Sequence, residues 1–526
     1  MSLASSTQGM VTSPHGPATE AGLAVLAQGG NAIEAVIATA ASLCVTYPHF
    51  CGLGGDAFML IADAHGQVHS LSGIGQAAQH LPAYSGSIPT RGPQAMLTSA
   101  AAVDVWGQAF AISRDEWAGR QSWAGLLTPA IALARDGFAI SESERFWLQF
   151  RQPEAASLPD VYTHFLQNGA VPAPQQLRHQ HALAATLETL ALRGPRDFYE
   201  GQLATTIAQG LAQAGSPLTA ADLAHTHARA EVPLQLPYRD GTLVAHRPPT
   251  QGITTLEIMG ILDRFNLGGI AEGSADYYHL LVETVKRAFI DRNRFVADPD
   301  HTPVPIERLL SPAHLDQQAA SIRMDQALPW PHPFQTGDTV FLAAADRRGN
   351  AVSMLATTYF DWGSGVVVGD TGMLWHNRGA AFSLDPQHPN CLAPGKRPFH
   401  TLNPGMYLQH GKPSILYGTQ GADGQPQTLA AILTRMIDYG MDPYTALARP
   451  RFLLGKTFSD ARDSLKLEDD VSAQVFKDLA LRGHALSPLP AHSPLMGHPG
   501  AIRIDPATGV MTGAHDPRSD GWAMGL

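Results

Sequence analysis

The amino-acid sequence predicts an α/β (α+β) fold, a four-layer αββα sandwich to which both halves of the 526-residue chain contribute. Helical patterns occupy the early and late parts of the chain, and strand patterns occupy the middle of each half. Hydrophobic residues make up 44% of the sequence, which is enough for a large core. We therefore expect one composite domain and not two independent ones.

The predicted helices follow from apolar spacing and from capping residues. Residues 17–46 form two helices separated by Gly29-Gly30, because glycine tolerates the left-handed end of a helix. Asn31 and Glu34 then provide a start that is close to a capping box. Residues 120–235 are predicted to be mainly helical. Helices are expected at 129–136, 182–193, 203–214 and 277–296.

The predicted strands lie beside glycine-rich turns. A strand at 57–62 follows Gly52-Leu53-Gly54-Gly55. A phosphate-binding loop is disfavoured there, because it needs the order strand–glycines–helix and a following Lys-Ser/Thr. Arg347-Arg348-Gly349-Asn350 indicates a hairpin. The later strands are expected at 339–345, 351–358, 414–417, 501–504 and 510–513.

The bulk composition argues against several classes of partner. The formal net charge of −11 disfavours nucleic acid, since binding a phosphate backbone needs a surplus of Lys and Arg. No run of about 18 apolar residues occurs, so we expect no membrane span. Residues 1–8 have neither a basic nor an apolar region, so we predict no secretory signal.

The cysteines and histidines indicate no metal site. Cys44, Cys51 and Cys391 match neither a disulfide framework nor a zinc pattern, and we expect a cytoplasmic protein. The pairs His179/His181 and His225/His227 are spaced i, i+2, which puts their side chains on different helix faces. Solvated surface is therefore favoured over metal ligation.

A threonine opens the strand at 339–345, directly after Gly337-Asp338 and a proline-rich run at 329–333. Thr339 is either an ordinary first residue of a hairpin strand or a nucleophile released by cleavage of the Asp338–Thr339 bond. In the second case its new α-amine lies beside its own hydroxyl and acts as the base. Motifs elsewhere in the chain favour the nucleophile.

These motifs occur in one order along nearly the whole chain. They are Gly9-Met10-Val11-Thr12-Ser13, Gln28-Gly29-Gly30-Asn31-Ala32, Gly52-Leu53-Gly54-Gly55, Thr128-Pro129-Ala130-Ile131, Pro248-Pro249-Thr250-Gln251-Gly252, Ala297-Asp298-Pro299-Asp300, Gly349-Asn350-Ala351-Val352, Gly363-Ser364-Gly365-Val366, Lys396-Arg397-Pro398 and Asp516-Pro517-Arg518. With them the chain resembles the γ-glutamyltransferase family of N-terminal nucleophile hydrolases.

The resemblance implies a precursor that cuts itself before Thr339. The products are a large subunit, 1–338, and a small subunit of 526 − 338 = 188 residues, 339–526. The two subunits together form one catalytic domain of the N-terminal nucleophile type, either as a single αβ unit or as a dimer of such units. No cofactor is implied.

The resemblance also assigns catalytic roles. Thr339 is the nucleophile, and Thr357 matches the threonine that hydrogen-bonds it from the neighbouring strand. Gly421 and Ala422 match the two residues whose backbone N–H groups form the oxyanion hole. Alanine replaces the family's second glycine, which matters little because the donor belongs to the backbone.

The residues that bind the γ-glutamyl head group in the family are changed here. Ile74 replaces the arginine that binds its carboxylate, and no acidic residue is expected in place of the lost aspartate. A buried ammonium without its partner costs roughly 3–5 kcal/mol, so a glutathione-processing transferase is disfavoured. The other substitutions are Tyr359, Arg378 and Ala381 in place of Asn, Gln and Asp, and His400 and Thr401 in place of paired serines.

The new residues predict a cationic pocket beside the retained machinery. Arg378 and His400, next to Tyr359, suit a carboxylate close to the scissile carbonyl, with Arg378 providing a bidentate fork. A small anionic amide without an ammonium group is therefore the expected substrate. The pattern is similar to the oxamate amidohydrolase branch of the family, which converts oxamate to oxalate and ammonia in purine-ring breakdown. The alternative role of Arg378 is a structural salt bridge.

Other functions stay open at this point. A cephalosporin- or glutaryl-acylase-like enzyme has a larger acyl pocket, which Trp362, Trp375 and Phe399 disfavour if they point inward. An uncleaved, inactive binding protein is disfavoured by the retention of Thr339, Thr357 and the Gly421 loop. The run Asp516-Pro517-Arg518 is expected to buttress the site with an ion pair.

Overall fold

The computed structural model describes residues 3–330, 338–456 and 462–526. The strands are β1 (Ala4–Ser6), β2 (Gly9–Ser13), β3 (Asp56–Ala62), β4 (Val68–Gly73), β5 (Phe138–Ala139), β6 (Leu177–Arg178), β7 (Arg229–Glu231), β8 (Leu234–Tyr238), β9 (Gly241–Ala245), β10 (Asp338–Asp346), β11 (Ala351–Tyr359), β12 (Gly405–Gln409), β13 (Lys412–Gly418), β14 (Phe452–Gly455), β15 (Ser464–Glu468), β16 (Leu486–Leu489), β17 (Gly500–Ile504), β18 (Met511–His515) and β19 (Trp522–Gly525).

The helices complete the architecture. They are α1 (Gly16–Ala27), α2 (Ala32–Thr46), α3 (Ala102–Asp115), α4 (Trp123–Asp136), α5 (Glu142–Phe150), α6 (Pro159–Phe165), α7 (His181–Arg193), α8 (Asp197–Glu200), α9 (Gln202–Ala214), α10 (Ala220–Ala224), α11 (Gly252–Leu262), α12 (Ala275–Phe295), α13 (Ile306–Leu309), α14 (Pro312–Ala320), α15 (Gln425–Ile437), α16 (Pro443–Ala448) and α17 (Ala473–Leu481). None of the helices in the described ranges combines the length and apolarity needed to cross a membrane.

The predicted elements are confirmed where the structure describes them. The helices expected from the sequence correspond to α1, α2, α4, α7, α9 and α12, and the expected strands correspond to β3, β10, β11, β13, β17 and β18. Asn31 and Glu34 form a complete capping box at the start of α2. Part of the proline-rich run, residues 331–333, lies outside the described residues.

Two seven-stranded sheets form the centre of the fold. The first has the order β1-β18-β17-β13-β12-β9-β8, and the second has the order β19-β2-β10-β11-β3-β4-β7. Every neighbouring pair in both sheets is antiparallel. Each sheet takes strands from both sides of residue 338, so the two halves of the chain build the fold jointly.

The hydrophobic clusters define four layers. Phe58 and Phe341 of the second sheet pack against Met406 and Leu416 of the first, in a core between the sheets. Side chains alternate between the two faces of a strand, so the neighbouring residues contact helices instead. Met59 and Leu342 lie in a cluster with α2 and α4, and the outer face of the first sheet packs on α11, α12 and α15. This arrangement is the predicted αββα sandwich.

The ends of several central strands meet at one place. Asp338, at the start of β10, pairs with Tyr359 at the end of β11. Thr357 on β11 pairs with Asp56 at the start of β3. The register of β10 on β11 shifts between Asp338 and Val340, which places the irregularity at Thr339.

Candidate active site

Thr339 is completely buried at the irregular start of β10. Its hydroxyl Oγ1 accepts a hydrogen bond of 3.3 Å from Nε2 of Gln425. Gln425 is the first residue of α15 and is also completely buried. The sequence did not indicate this glutamine, whose only local signal is its place directly after the glycine-containing loop at 421–424.

Thr357 lies on β11, the strand next to Thr339, with 1% of its surface exposed. Its Oγ1 accepts the backbone N–H of Tyr359 at 2.7 Å. This contact fixes the hydroxyl beside the register shift of β10. The hydrogen bond from Thr357 to Thr339 stays a prediction.

The predicted oxyanion loop connects β13 to α15 and has an unusual backbone. Gly421 has φ = +117° and Ala422 has φ = +45°. A non-glycine residue in this left-handed region is uncommon, and such backbone conformations cluster at functional sites. Gln251 holds the loop, because its Nε2 donates to the carbonyl oxygens of Ala422 and Thr401, both at 2.7 Å.

The buried side chain of Arg292 holds the side chain of Gln251 in place. Arg292 donates to Oε1 of Gln251 at 3.1 Å and forms an ion pair of 3.0 Å with Asp423 in the loop. The side-chain amide of Gln251 is therefore fixed at both ends. The loop of Gly421 and Ala422 is preorganised by contacts from α11 and α12, which lie far from it in the sequence.

Arg378 is a buried cation with free hydrogen-bond donors. None of its surface is exposed, and its Nη2 donates to Thr401 Oγ1 at 3.3 Å. Its Nε and Nη1 have no hydrogen-bond partner, and within the described ranges it forms no ion pair. The alternative of a structural salt bridge is therefore not what the structure shows. Burial lowers the pKa of Arg378 to about 10, so the guanidinium stays charged at neutral pH.

His400 lies beside Arg378 but has both ring nitrogens engaged. Its Nδ1 accepts the backbone N–H of Leu402 at 3.3 Å, so Nε2 carries the proton and donates to Asp56 Oδ2 at 3.2 Å. Burial, followed by the charge of Arg378, lowers the pKa of His400 to about 3. Of the two residues predicted to form a cationic pocket, Arg378 carries the charge and His400 is neutral.

Asp56 is a buried carboxylate that the sequence prediction missed. Its Oδ1 accepts the N–H groups of Gly75 at 2.9 Å and Ala101 at 3.3 Å, and Oδ2 faces His400 and His376. Burial acts to raise its pKa, but His376 and the hydrogen bond from His400 lower it below the usual value.

The expectation that no acidic residue takes the place of the lost family aspartate stays a prediction. Asp56 comes from a different part of the sequence than the family aspartate, and folding brings it next to His400. Both of its oxygens already accept N–H donors from the protein. It is a partner for the imidazoles and not an open site for an ammonium group.

The remaining predicted positions lie in packed surroundings. Ile74, at the place of the family arginine, is 2% exposed in the core between the sheets. The carbonyl of Ala381 accepts a hydrogen bond of 2.7 Å from Asn390 Nδ2. Trp362 and Trp375 belong to the core between the helices and the second sheet, whereas Phe399 packs in the other outer core.

Comparison with known proteins assigns the chain to a family. The family model described as Gamma-glutamyltranspeptidase matches residues 18–526. The chain belongs to the γ-glutamyltranspeptidase family. It is 44% identical over 524 residues to the oxamate amidohydrolase proenzyme of Klebsiella pneumoniae, with 99% of both chains covered. It is 39% identical over 525 residues to a glutathione hydrolase-like proenzyme of Bacillus subtilis, again with 99% of both chains covered.

Solved structures support the same assignment. The crystal structure of cephalosporin acylase from Bacillus halodurans has a TM-score of 0.92 and 31% sequence identity. That match covers 100% of this chain and 97% of the acylase. The family membership and the shared fold make this chain an amide-cleaving hydrolase with the N-terminal nucleophile architecture.

A buried ion-pair network lies behind the predicted oxyanion loop. Arg518 pairs with Asp516 at 3.2 Å, and Arg451 pairs with the same carboxylate. Nη2 of Arg451 donates to the carbonyl of Gly497 at 2.8 Å, and Gly497 packs against Gly421. The predicted ion pair of Asp516 and Arg518 is confirmed.

The histidine pairs that the sequence analysis considered as metal ligands are exposed on the surface; they are His179, His181, His225 and His227. Two other groups each bring three potential metal ligands together, His279/Glu283/His484 and Glu257/Asp291/His314. In the first group, Glu283 already pairs with Lys286 and Arg287. In the second, His314 bridges the two carboxylates.

Proposed function

We propose that this chain is a self-processing threonine amidohydrolase that cleaves a small anionic amide, with oxamate as substrate and oxalate and ammonia as products. The observation that carries the proposal is the buried guanidinium of Arg378, which has two unpartnered nitrogens. The similarity to an oxamate amidohydrolase proenzyme supports it. A cytoplasmic enzyme of purine-ring breakdown, acting as an αβ unit or a dimer of such units, belongs to the same proposal.

Self-processing cuts the bond between Asp338 and Thr339. The cut produces subunits 1–338 and 339–526, and it releases the α-amine of Thr339. Strand β10 stays paired with β2 of the large subunit and with β11 of the small one. The sandwich therefore holds the new N-terminus in place without the peptide bond.

The chemical steps use the released threonine as nucleophile and base. The α-amine accepts the hydroxyl proton as Oγ1 attacks the amide carbon, and the backbone N–H groups of Gly421 and Ala422 stabilise the oxyanion. Ammonia leaves after it receives that proton from the amine. Water then attacks the acyl-threonine ester and releases the acid, which regenerates the hydroxyl.

Arg378 supplies what a substrate carboxylate needs. A buried charge without a partner is unfavourable, and pairing with a carboxylate through two N–H groups offsets that cost. In oxamate the carboxylate is bonded to the reacting carbonyl carbon, so its charge opposes the developing oxyanion. The guanidinium reduces this repulsion. Thr401 and the ring of Tyr359 hold it in position, while neutral His400 shapes the wall of the pocket.

The test is ammonia release from oxamate by the processed protein, run beside hydrolysis of a γ-glutamyl anilide. Oxamate turnover that disappears in Thr339→Ala supports the nucleophile. A rise of KM in Arg378→Met, by roughly 10–100-fold, supports the carboxylate site, since hydrogen bonds to charged groups contribute about 1.5–3 kcal/mol.

A matched control is Arg435→Met, because Arg435 is equally buried but already pairs with Glu272 at 2.8 Å. We expect this control to lower stability without a selective change in the KM for oxamate. Turnover of the γ-glutamyl donor without turnover of oxamate would overturn the proposed pocket.

A further inference from the structure

Gln425 touches the proposed nucleophile and has a free acceptor. Its Nε2 donates to Thr339 Oγ1 at 3.3 Å, whereas its Oε1 has no hydrogen-bond partner among the described residues. The residue is completely buried. Buried polar atoms are nearly always hydrogen-bonded, so an unpartnered carbonyl oxygen next to a nucleophile needs a specific explanation.

We propose that Gln425 is a catalytic residue that binds the leaving NH₂ group of the substrate and makes the enzyme selective for primary amides. Oε1 accepts one N–H of the scissile amide, while Nε2 keeps the hydroxyl of Thr339 oriented. This role rests on the proposed function, and it defines the substrate class more narrowly: a carboxylate on one side of the reacting carbon and an unsubstituted amide nitrogen on the other.

The geometry of attack places the leaving nitrogen near this carboxamide. The reacting carbon lies about 3–3.5 Å from the attacking oxygen in a productive complex. The amide nitrogen is one bond further, about 1.33 Å from that carbon. Because Nε2 of Gln425 is already in contact with Oγ1 of Thr339, its Oε1 lies in the same small region as the leaving nitrogen.

The backbone around Gln425 is rigid enough for such a role. Gln425 begins α15, which is buried from its first residue to Met436. The preceding turn is closed by the N–H of Gly424, which donates to the carbonyl of Gly421 at 2.6 Å. The predicted oxyanion loop and Gln425 are therefore consecutive parts of one fixed segment, and Gln425 contacts Thr339.

Gln427 offers a matched control on the same helix. It is a glutamine with no exposed surface, like Gln425. Its Nε2 donates to the carbonyls of Asp423 at 3.2 Å and Leu454 at 3.0 Å, and its Oε1 accepts the N–H of Leu454 at 2.7 Å. Its side-chain nitrogen and its side-chain oxygen are both hydrogen-bonded within the protein, so Gln427 has a structural role only.

The experiment compares oxamate with monoethyl oxalate, an ester whose leaving oxygen has no N–H to donate. In Gln425→Met we expect kcat/KM for oxamate to fall roughly 10–100-fold, as for the loss of a buried hydrogen bond. The fold-decrease of kcat/KM for the ester should be less than about a third of the fold-decrease for oxamate. In Gln427→Met the ratio of kcat/KM for oxamate to kcat/KM for the ester should stay at the wild-type value.

Equal losses for both substrates in Gln425→Met would overturn the proposal, because they would mean that Gln425 acts on Thr339 alone. Intact mass and thermal unfolding of each variant show whether processing and folding are preserved. A further measurement uses the wild-type protein and needs no variant to process: hydrolysis of N,N-dimethyloxamate. Turnover of this amide at nearly the rate of oxamate would also overturn the proposal.

The outcomes separate this proposal from the function on which it rests. Absence of oxamate turnover in the wild-type protein contradicts the proposed function. A different outcome is oxamate turnover that depends on Thr339, with oxamate and N,N-dimethyloxamate hydrolysed at equal rates. This outcome contradicts only the role of Gln425.

Discussion

The guanidinium carbon of Arg378 lies 3.8 Å from the centre of the Tyr359 ring. The backbone of Tyr359 has φ = +82°, and its N–H is bound by Thr357 Oγ1. A cation over an aromatic face is stabilised by about 2 kcal/mol when desolvated, which is less than the cost of burying an unpaired charge. The contact positions the cation but leaves its charge for an incoming anion.

Oxalate, the expected product, should therefore stabilise the protein through Arg378. A ligand at 100 times its Kd stabilises the native state by about 2.7 kcal/mol. We expect oxalate to raise the Tm of the wild-type protein and to have no effect on Arg378→Met. The variant without ligand should be at least as stable as the wild type, because an uncompensated buried charge has been removed. Differential scanning calorimetry measures both effects, and an equal rise of Tm in the variant would contradict the site.

Thr339→Ala should remain a single chain of 526 residues. The wild-type protein should separate into fragments of 338 and 188 residues on a denaturing gel, with Thr339 as the N-terminal residue of the smaller one. The physical reason is that alanine lacks the hydroxyl that attacks the preceding carbonyl. Sequencing the smaller fragment checks the position, and a cut elsewhere would remove Thr339 as the nucleophile.

Stability should decrease when the pH is lowered from about 6.5. Burial lowers the pKa of His246 to about 3, and burial is also the main cause that lowers the pKa of His515 to about 3 and of His498 to about 4. The unfolded chain, in which a histidine has a pKa of about 6.5, binds more protons between these values. Each such histidine therefore lowers the free energy of unfolding by about 1.4 kcal/mol for each pH unit of acidification in this window.

Urea unfolding at about pH 7 and about pH 5.5 measures this slope. His246→Gln should reduce it by the contribution of one histidine. Above about pH 7.5 both states leave these histidines almost entirely unprotonated, so almost no slope from them is expected there. An unchanged slope below pH 6.5 in the variant would show that His246 is not buried as a neutral group.

Asp516→Asn should destabilise the protein by roughly 3–5 kcal/mol, because it leaves buried Arg451 and Arg518 without part of their counter-charge. Both arginine contacts to Asp516 are fully buried. Denaturant unfolding measures the loss. Activity of the folded fraction should also fall, since Arg451 donates to Gly497 behind the predicted oxyanion loop. Stability equal to that of the wild type would mean that the network contributes little.

Ala422→Gly should keep kcat within about threefold, since the proposed oxyanion donor is a backbone N–H. Stability should rise slightly or stay constant, because φ = +45° suits glycine better than alanine. Gly421→Ala is the contrasting variant: φ = +117° is strained for any side chain, so both stability and kcat should fall. Steady-state kinetics with oxamate distinguishes the two.

The sequence by itself determined the sandwich, the strand that contains Thr339 and the family of the chain. These features depend on local patterns, such as the capping box of Asn31 and Glu34, and on motifs preserved in order. It also singled out Arg378 as the replacement at a position where the family binds an ammonium group.

Only the tertiary structure decided the charge state and the partners of the site. Asp56, His400 and Gln425 are far apart in the sequence, and their roles follow from burial and from contacts across the two sheets. The sequence shows that His400 is titratable, but its hydrogen bonds and desolvation make it neutral. Residue type is a local property, whereas pKa and hydrogen-bond satisfaction depend on what the folded chain brings within a few ångströms.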